Sequence, residues 1–310
     1  MSKLVASAGT WARRSFGSPP CLPLLGACNE RPGRTVTEGA NPTPPLSALM
    51  GAEVLIGAGD IASCSSRGDE ATAALLDSIP GTVFTAGDNV YPNGTVERYR
   101  RCYGPSWGRH LARTYPAPGN HDYRISNGAA YYEYFGARAG PAGLGYYSFK
   151  LGDWLIVMLN TEIAVGAGSE QASWLRSQLA GRDGGCEIAI SHYPRFSSGP
   201  HGSSGQMSAI WEILYDSGVE LAIAGHDHIY ERFAPMTPAG VLDEARGVRQ
   251  FIVGTGGFKP YDPRERRPNS QIVRSATGLL KLSLGSGAYQ WEFVPVAGET
   301  FRDWGEGRCR

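Results

Sequence analysis

The chain contains no run approaching the roughly 20 apolar residues that a membrane-crossing helix needs, so no membrane span is expected. It also has no charge bias. Its 29 basic and 29 acidic residues cancel to a formal net charge of +0, so no global field draws it to nucleic acid, and no nucleic-acid partner is expected. The one basic run, Arg264-Glu265-Arg266-Arg267-Pro268, is short, broken by a glutamate, and reads as a solvated loop. No two cysteines form a Cys-x-x-Cys pair, which argues against a thiolate zinc site. Histidine is scarce, with six in 310 residues. That scarcity makes the position of each one informative.

What the chain has in quantity is glycine (42) and proline (21), beside an apolar content of 42%. This is the composition of a folded, loop-rich protein rather than a disordered one. Residues 1–50 carry no usable period and read as a leader or linker, with a single folded domain over 51–310. Within the leader, Arg13-Arg14-Ser15-Phe16 resembles a twin-arginine export signal. Leu24 to Cys28 resembles the cleavage box of a bacterial lipoprotein, which would make Cys28 a lipid-anchor site. Export is the expectation, as a periplasmic, secreted or lipid-anchored protein. Beyond the leader four cysteines remain, at 64, 102, 186 and 309. An even number suits an oxidising compartment. Four cysteines allow three connectivities; Cys64 with Cys102 is one guess, since each follows shortly on a predicted active-site strand.

From Glu53 a rhythm begins. Short apolar strands end in Gly59-Asp60 and Gly87-Asp88, separated by a helical pattern over Glu70 to Ile79. A helix around Thr95 to Arg101 precedes Thr114 to Ala117 and then Gly119-Asn120-His121-Asp122. Tyr146 to Lys150 and Trp154 to Leu159 read as a hairpin. Ser169 to Leu179 reads as a helix capped by Ser169. Strand, helix and strand follow at Cys186 to Ser191, Ser208 to Tyr215 and Glu220 to Ala224. The last third holds strands at Gln250 to Val253, Leu279 to Leu284 and Tyr289 to Val294. Helices alternate with strands early and strands pair late. The class is therefore α/β with an α+β tail, as two packed mixed β-sheets flanked by helices.

The strands end in the same way, apolar residues giving way to polar ones, often at a glycine. In an open α/β sheet the carboxyl ends of the strands share one edge, where ligands bind. That edge would collect Asp60, Asp88, Tyr91, Asn120, His121, His192, His226 and His228. Each has an ordinary reading alone: a turn former, a packed aromatic, a hydrogen-bonded core histidine. Together, five of the six histidines, His201 included, fall in or just after these loops. His110 does not, and is assigned to the surface. Carboxylate, amide and imidazole donors suit zinc, manganese or iron. Six or seven of them exceed what one tetrahedral zinc uses and fit a pair of ions sharing a carboxylate.

Five blocks carry a resemblance: Gly59-Asp60, Gly87-Asp88-Asn89-Val90-Tyr91, Gly119-Asn120-His121-Asp122, His192 and Gly225-His226-Asp227-His228. In this order, and continued by Ile229-Tyr230-Glu231-Arg232, they resemble the metallophosphoesterase superfamily and, within it, the purple acid phosphatase-like enzymes. Where the superfamily often shows Asp-x-His, this chain has Asp60-Ile61-Ala62 and supplies Tyr91 in Asp-x-x-Tyr. The resemblance implies a four-layer sandwich. One metal would be held by Asp60, Asp88, Tyr91 and His228, and a second by Asp88, Asn120, His192 and His226. Tyrosinate ligation calls for ferric iron in the first site, with a divalent ion (Fe, Zn or Mn) in the second; the alternative for Tyr91 is an aromatic wall. The implied reaction is hydrolysis of small phosphate monoesters by a metal-bound hydroxide.

His121 is the candidate proton donor to the leaving group, its ring oriented by Asp122. His201 is a second substrate-side histidine. Asn89, Arg195 and Arg232 are candidate substrate binders, although either arginine could instead form a structural ion pair. Two other readings remain. One is a phosphodiesterase acting on small diesters or nucleotides. The other is a metal-binding surface protein without turnover.

Overall fold

The computed structural model describes residues 49, 51–181 and 185–309. The leader, with Arg13, Arg14 and Cys28, lies outside the described residues. The chain opens with β1 (Glu53–Ala58), the two-residue β2 (Ala62–Ser63), α1 (Gly68–Ser78) and β3 (Thr82–Ala86). The two-residue β4 (Val90–Tyr91), the one-turn α2 (Val96–Arg98) and β5 (Thr114–Ala117) follow, then the short helices α3 (Asn120–Tyr123) and α4 (Ala129–Phe135). A second region begins with the hairpin β6 (Tyr147–Leu151) and β7 (Trp154–Met158). It continues through α5 (Glu170–Leu179), β8 (Cys186–Ile190), α6 (Ser208–Asp216) and β9 (Leu221–Ala224). Next come β10 (Tyr230–Phe233), β11 (Arg249–Val253) and β12 (Ser270–Arg274), before the long β13 (Gly278–Gly285), β14 (Ala288–Pro295) and β15 (Trp304–Arg308).

Apart from β2 and β4, which pair with each other, these strands form two mixed sheets, in the orders β15-β14-β13-β1-β3-β5 and β12-β10-β11-β9-β8-β7-β6. The centres are parallel: β1 with β3, β3 with β5, β7 with β8, β8 with β9, and β9 with β11. The antiparallel strands lie toward the edges. Period-two alternation sorts the side chains. Leu55, Phe84, Ile156, Ile188, Ile190, Leu221 and Phe251 fill the space between the sheets. Their neighbours face outward. Ile56, Ala58 and Val83 meet Ala73 and Leu76 of α1 and the aromatic cluster of Tyr99, Trp107, Tyr131 and Phe135. Leu155, Val157, Ala189 and Ala222 meet Leu175 of α5 and Ile210, Trp211 and Leu214 of α6. The layers are therefore helix, sheet, sheet, helix.

Helix α5 starts where expected, with the Ser169 hydroxyl accepting from Ala172 N at 3.1 Å. The helix placed around Thr95 to Arg101 is instead a single α-turn, capped by Thr95, running into a π-helical segment, Tyr99–Tyr103. Disulfides join Cys64 to Cys102 and Cys186 to Cys309. The first is the pairing guessed from the sequence. It ties the loop after Asp60 to that π-helical segment.

Candidate metal centre

The parallel strands deliver their carboxyl ends to one place. Asp60 follows β1, Asp88 follows β3, Asn120 opens α3 just beyond β5, His192 follows β8, and His226 and His228 follow β9. Asp60, Asp88 and His226 sit at φ of 61°, 49° and 70°. For residues with a side chain this left-handed conformation costs ~1–3 kcal/mol each, and persists only where the surroundings enforce it. Here each loop enforces the next. Asp60 N donates to Gly87 O, and Ile61 N to Asp88 O, both at 3.0 Å. Asp60 Oδ2 accepts from His226 N at 2.8 Å, and Asp88 Oδ1 from His121 N at 2.7 Å. Gly119 is needed for the closeness of this contact, because a Cβ there would lie 2.3 Å from Asp88 N and 2.4 Å from its Oδ1.

The donor atoms that result are tightly grouped. Tyr91 Oη lies 2.6 Å from Asp60 Oδ1, 2.8 Å from Asp88 Oδ2 and 3.1 Å from His228 Nε2. His192 Nε2 lies 3.1 Å from Asn120 Oδ1 and 3.3 Å from Asp88 Oδ2. The His192 and His226 ring centroids are 5.1 Å apart. Asp60, Asp88 and His192 each offer a ligand atom within 4.8 Å of the others. Three histidines are oriented in the same manner. Nδ1 of His121, His192 and His228 is 2.8, 2.9 and 2.8 Å from the carbonyls of Pro92, Ala86 and Lys259. A carbonyl only accepts, so Nδ1 carries the proton and Nε2 is turned toward the carboxylates, as in a metal-binding histidine.

The electrostatics suit a cation. Burial alone would raise the Asp60 and Asp88 carboxyls, but His228 beside Asp60 and His192 beside Asp88 hold both below the ordinary carboxylate range. Burial opposes a charge on His192, yet Asp88 and Asp60 push it up to about 10. Burial and the neighbouring His192 and His201 drive His226 down to about 2. Burial and the two carboxylates push the Tyr91 phenol well above its ordinary value. Only a strong positive charge would ionise it there. Among the described residues, no Lys or Arg pairs with Asp60 or Asp88. The donor set fits bound metal.

A model of the calcineurin-like phosphoesterases matches residues 55–230, more than half of the chain. The chain belongs to that family. Within the family its resemblance is to the purple acid phosphatases. The chain is 29% identical over 195 residues to purple acid phosphatase 15 of Arabidopsis thaliana, covering 51% of this chain and 37% of that one. It is 26% identical over 275 residues to an uncharacterized protein of Mycobacterium tuberculosis, covering 73% and 51%. The chain thus spans about half or less of the length of these relatives. A purple acid phosphatase from yellow lupin seeds shares the fold, with a TM-score of 0.70 over 86% of this chain and 55% of the other, at 20% identity.

Several residues of this calcineurin-like phosphoesterase lie differently from what the sequence suggested. Asp122 does not touch the His121 ring. It is fully buried and accepts from Gly119 N (2.9 Å), Asn89 N (3.1 Å), Asn89 Nδ2 (2.9 Å) and Tyr99 Oη (2.6 Å). The Pro92 carbonyl orients His121 in its place. Asn89 is also buried, its Nδ2 donating to Asp122 and to Ala117 O rather than lying at the open rim of the site. Arg232 pairs with Asp303 at 2.7 Å and lies over Trp291, because β10 turns it toward β14 and β15 rather than the strand-end edge. Arg195 stacks on Phe196, with its Nη2 3.5 Å from Pro238 O, and among the described residues makes no hydrogen bond to the metal donors. His201 is at the rim, exposed, its ring stacked on His226 at 4.4 Å. His110 is not a free surface residue: its side chain is 11% exposed and its Nε2 is 3.0 Å from Asp77.

Residue types alone offered little sign of the segment after β11. There Gly256 N donates to Gly59 O and Phe258 N to Asp60 O. Phe258 stacks on Tyr91 with centroids 3.7 Å apart, and Tyr261 on His228 at 3.9 Å. Asp227, between the two histidines, accepts from Ser197 Oγ and His201 N, fixing the 197–202 loop. A polar residue flanked by two candidate ligands was the only available signal.

Proposed function

We propose that the chain is a metal-dependent phosphatase that hydrolyses small phosphate monoesters with two ions bound at this centre. The observation that carries this reading is the Tyr91 oxygen held within 3.1 Å of Asp60, Asp88 and His228. Asp60, Asp88, Tyr91 and His228 would hold ferric iron. Asp88, Asn120, His192 and His226 would hold a divalent iron, zinc or manganese, Asp88 being common to both. Bound ions supply Lewis acidity, lowering the pKa of a water to near 7 or below and drawing charge from the phosphoryl oxygens.

The protein groups do the rest. The buried carboxylates and the ring-orienting carbonyls fix the donors before anything binds, so no reorganisation is needed at the reaction. His121 keeps its proton at Nδ1 on Pro92 O, leaving Nε2 3.8 Å from Asp88 Oδ2 and facing the site. When protonated, Nε2 can deliver a proton to the departing alkoxide. The exposed His201 ring offers a second polar atom at the rim. Two disulfides support the accompanying proposal of export to an oxidising compartment.

The reading predicts two metals per chain and a visible tyrosinate-to-iron charge-transfer band that Tyr91→Phe abolishes. It also predicts turnover of p-nitrophenyl phosphate faster than of bis(p-nitrophenyl) phosphate. His121→Ala should keep its metals while kcat falls roughly 10²–10⁴-fold, the usual contribution of a positioned acid. A colourless, metal-replete protein that turns over only the diester would refute this reading.

A further inference from the structure

The 197–202 loop has two faces. One carries His201 against His226. The other walls a cleft of about 400 Å³ lined by Ser197, Ser198, Gly202 and the arginines Arg264, Arg266 and Arg267. This is the basic run that reads, in sequence, as a solvated loop. Among the described residues none of the three arginines has a carboxylate in ion-pair range. Glu265 is the one acidic residue lining the cleft.

The wall is rigid. Ser198 N and Oγ donate to Glu231, and Ser197 Oγ and His201 N to Asp227, both carboxylates being fully buried. The basic segment is fastened to the same wall, with Arg264 N donating to Ser198 O, Arg267 N to Ser198 Oγ and Arg267 Nε to Ser197 O. Guanidinium groups that lack carboxylate partners, held around a concavity, match the geometry of a phosphate. The loop that walls the cleft is the one that carries His201 against His226 at the rim of the metal centre.

We propose that the cleft receives a second phosphate of the substrate, so that esters bearing two separated phosphates are preferred over those bearing one. The inference rests on the phosphatase reading above and extends it to a substrate class. It is tested on the metal-replete protein with fructose 1,6-bisphosphate and fructose 6-phosphate. Expected is a KM about 10-fold lower for the bisphosphate, the usual scale for one charge-assisted contact. In R264Q/R266Q the KM for the bisphosphate should rise to approach that of the monophosphate. R264Q alone serves if the double variant does not fold, because among the described residues the Arg264 side chain makes no hydrogen bond and only its backbone N is engaged. Added salt should narrow the wild-type gap, because the arginines are exposed. No gap in the wild type, or a gap that survives both variants, overturns the proposal.

If neither sugar phosphate nor p-nitrophenyl phosphate is turned over, the phosphatase reading fails. The cleft is then judged by calorimetry with the same two sugar phosphates. A tenfold affinity gap lost in the variants upholds it, and any other result ends it.

Discussion

At the scale of single residues, the acceptor that organises this centre without touching it is Asp122. Both its oxygens take bonds from Gly119, Asn89 and Tyr99, thereby joining the loops that carry Asp88 and Asn120. Burial and the nearby Asp88 charge push its carboxyl up to about 7. Asp122→Ala would strand these buried donors, at ~1–3 kcal/mol for each group left unpaired. We expect at least ~3 kcal/mol of destabilisation in urea unfolding, with weakened metal retention in whatever folds. Glu231 bears on pH. Burial holds its carboxyl above the ordinary 4.5, although Ser198 donates to it twice. Between the unfolded and folded values the folded chain keeps a proton that the unfolded chain has lost. Its contribution to stability is therefore full below about 4.5 and is lost as pH rises through the folded value. The stability advantage of wild type over Glu231→Gln should be smaller near pH 7 than near pH 4, as measured by urea melts at each.

At the scale of elements, the strand-end loops were readable because apolar-to-polar switches mark strand termini and parallel strands share an edge. The direction in which a side chain leaves an antiparallel strand was not readable. Arg232 follows the signature directly, yet period-two alternation on β10 sends it to Asp303. Terminal strand β15 was also missed. Trp304 to Arg308 is glycine-rich, and glycine normally weakens a strand. Here a Cβ at Gly305 would lie 2.2 Å from the Trp291 ring, so the glycine admits an aromatic from β14. The 254–261 segment escaped notice because its hydrogen bonds to Gly59, Asp60 and His228 are made by backbone atoms, which leave no trace in residue type, and because a single Phe258 or Tyr261 in a loop does not signal what its ring stacks on. One prediction belongs here. Gly119→Ala must displace Asp88 or open the β5–α3 loop, and metal stoichiometry should fall well below wild type while far-UV circular dichroism changes little.

At the scale of the whole molecule, the second disulfide links the two sheets. Cys186 opens β8 in one, and Cys309 follows β15 in the other. It lies at the start of β8, whereas His192 follows that strand's end. Cys186→Ser with Cys309→Ser should therefore cost ~2–5 kcal/mol, read as a lower melting temperature, while metal content at room temperature holds. The sheet order has a further consequence. β1, which carries Asp60, lies between β3 and β13, with Leu55 opposite Leu282. Until residues 278–285 leave the ribosome, that side of β1 is an open edge, and the central strand of the first sheet cannot close. The strand that delivers Asp60 is thus flanked on both sides only after residues 278–285 have been made and have paired with it.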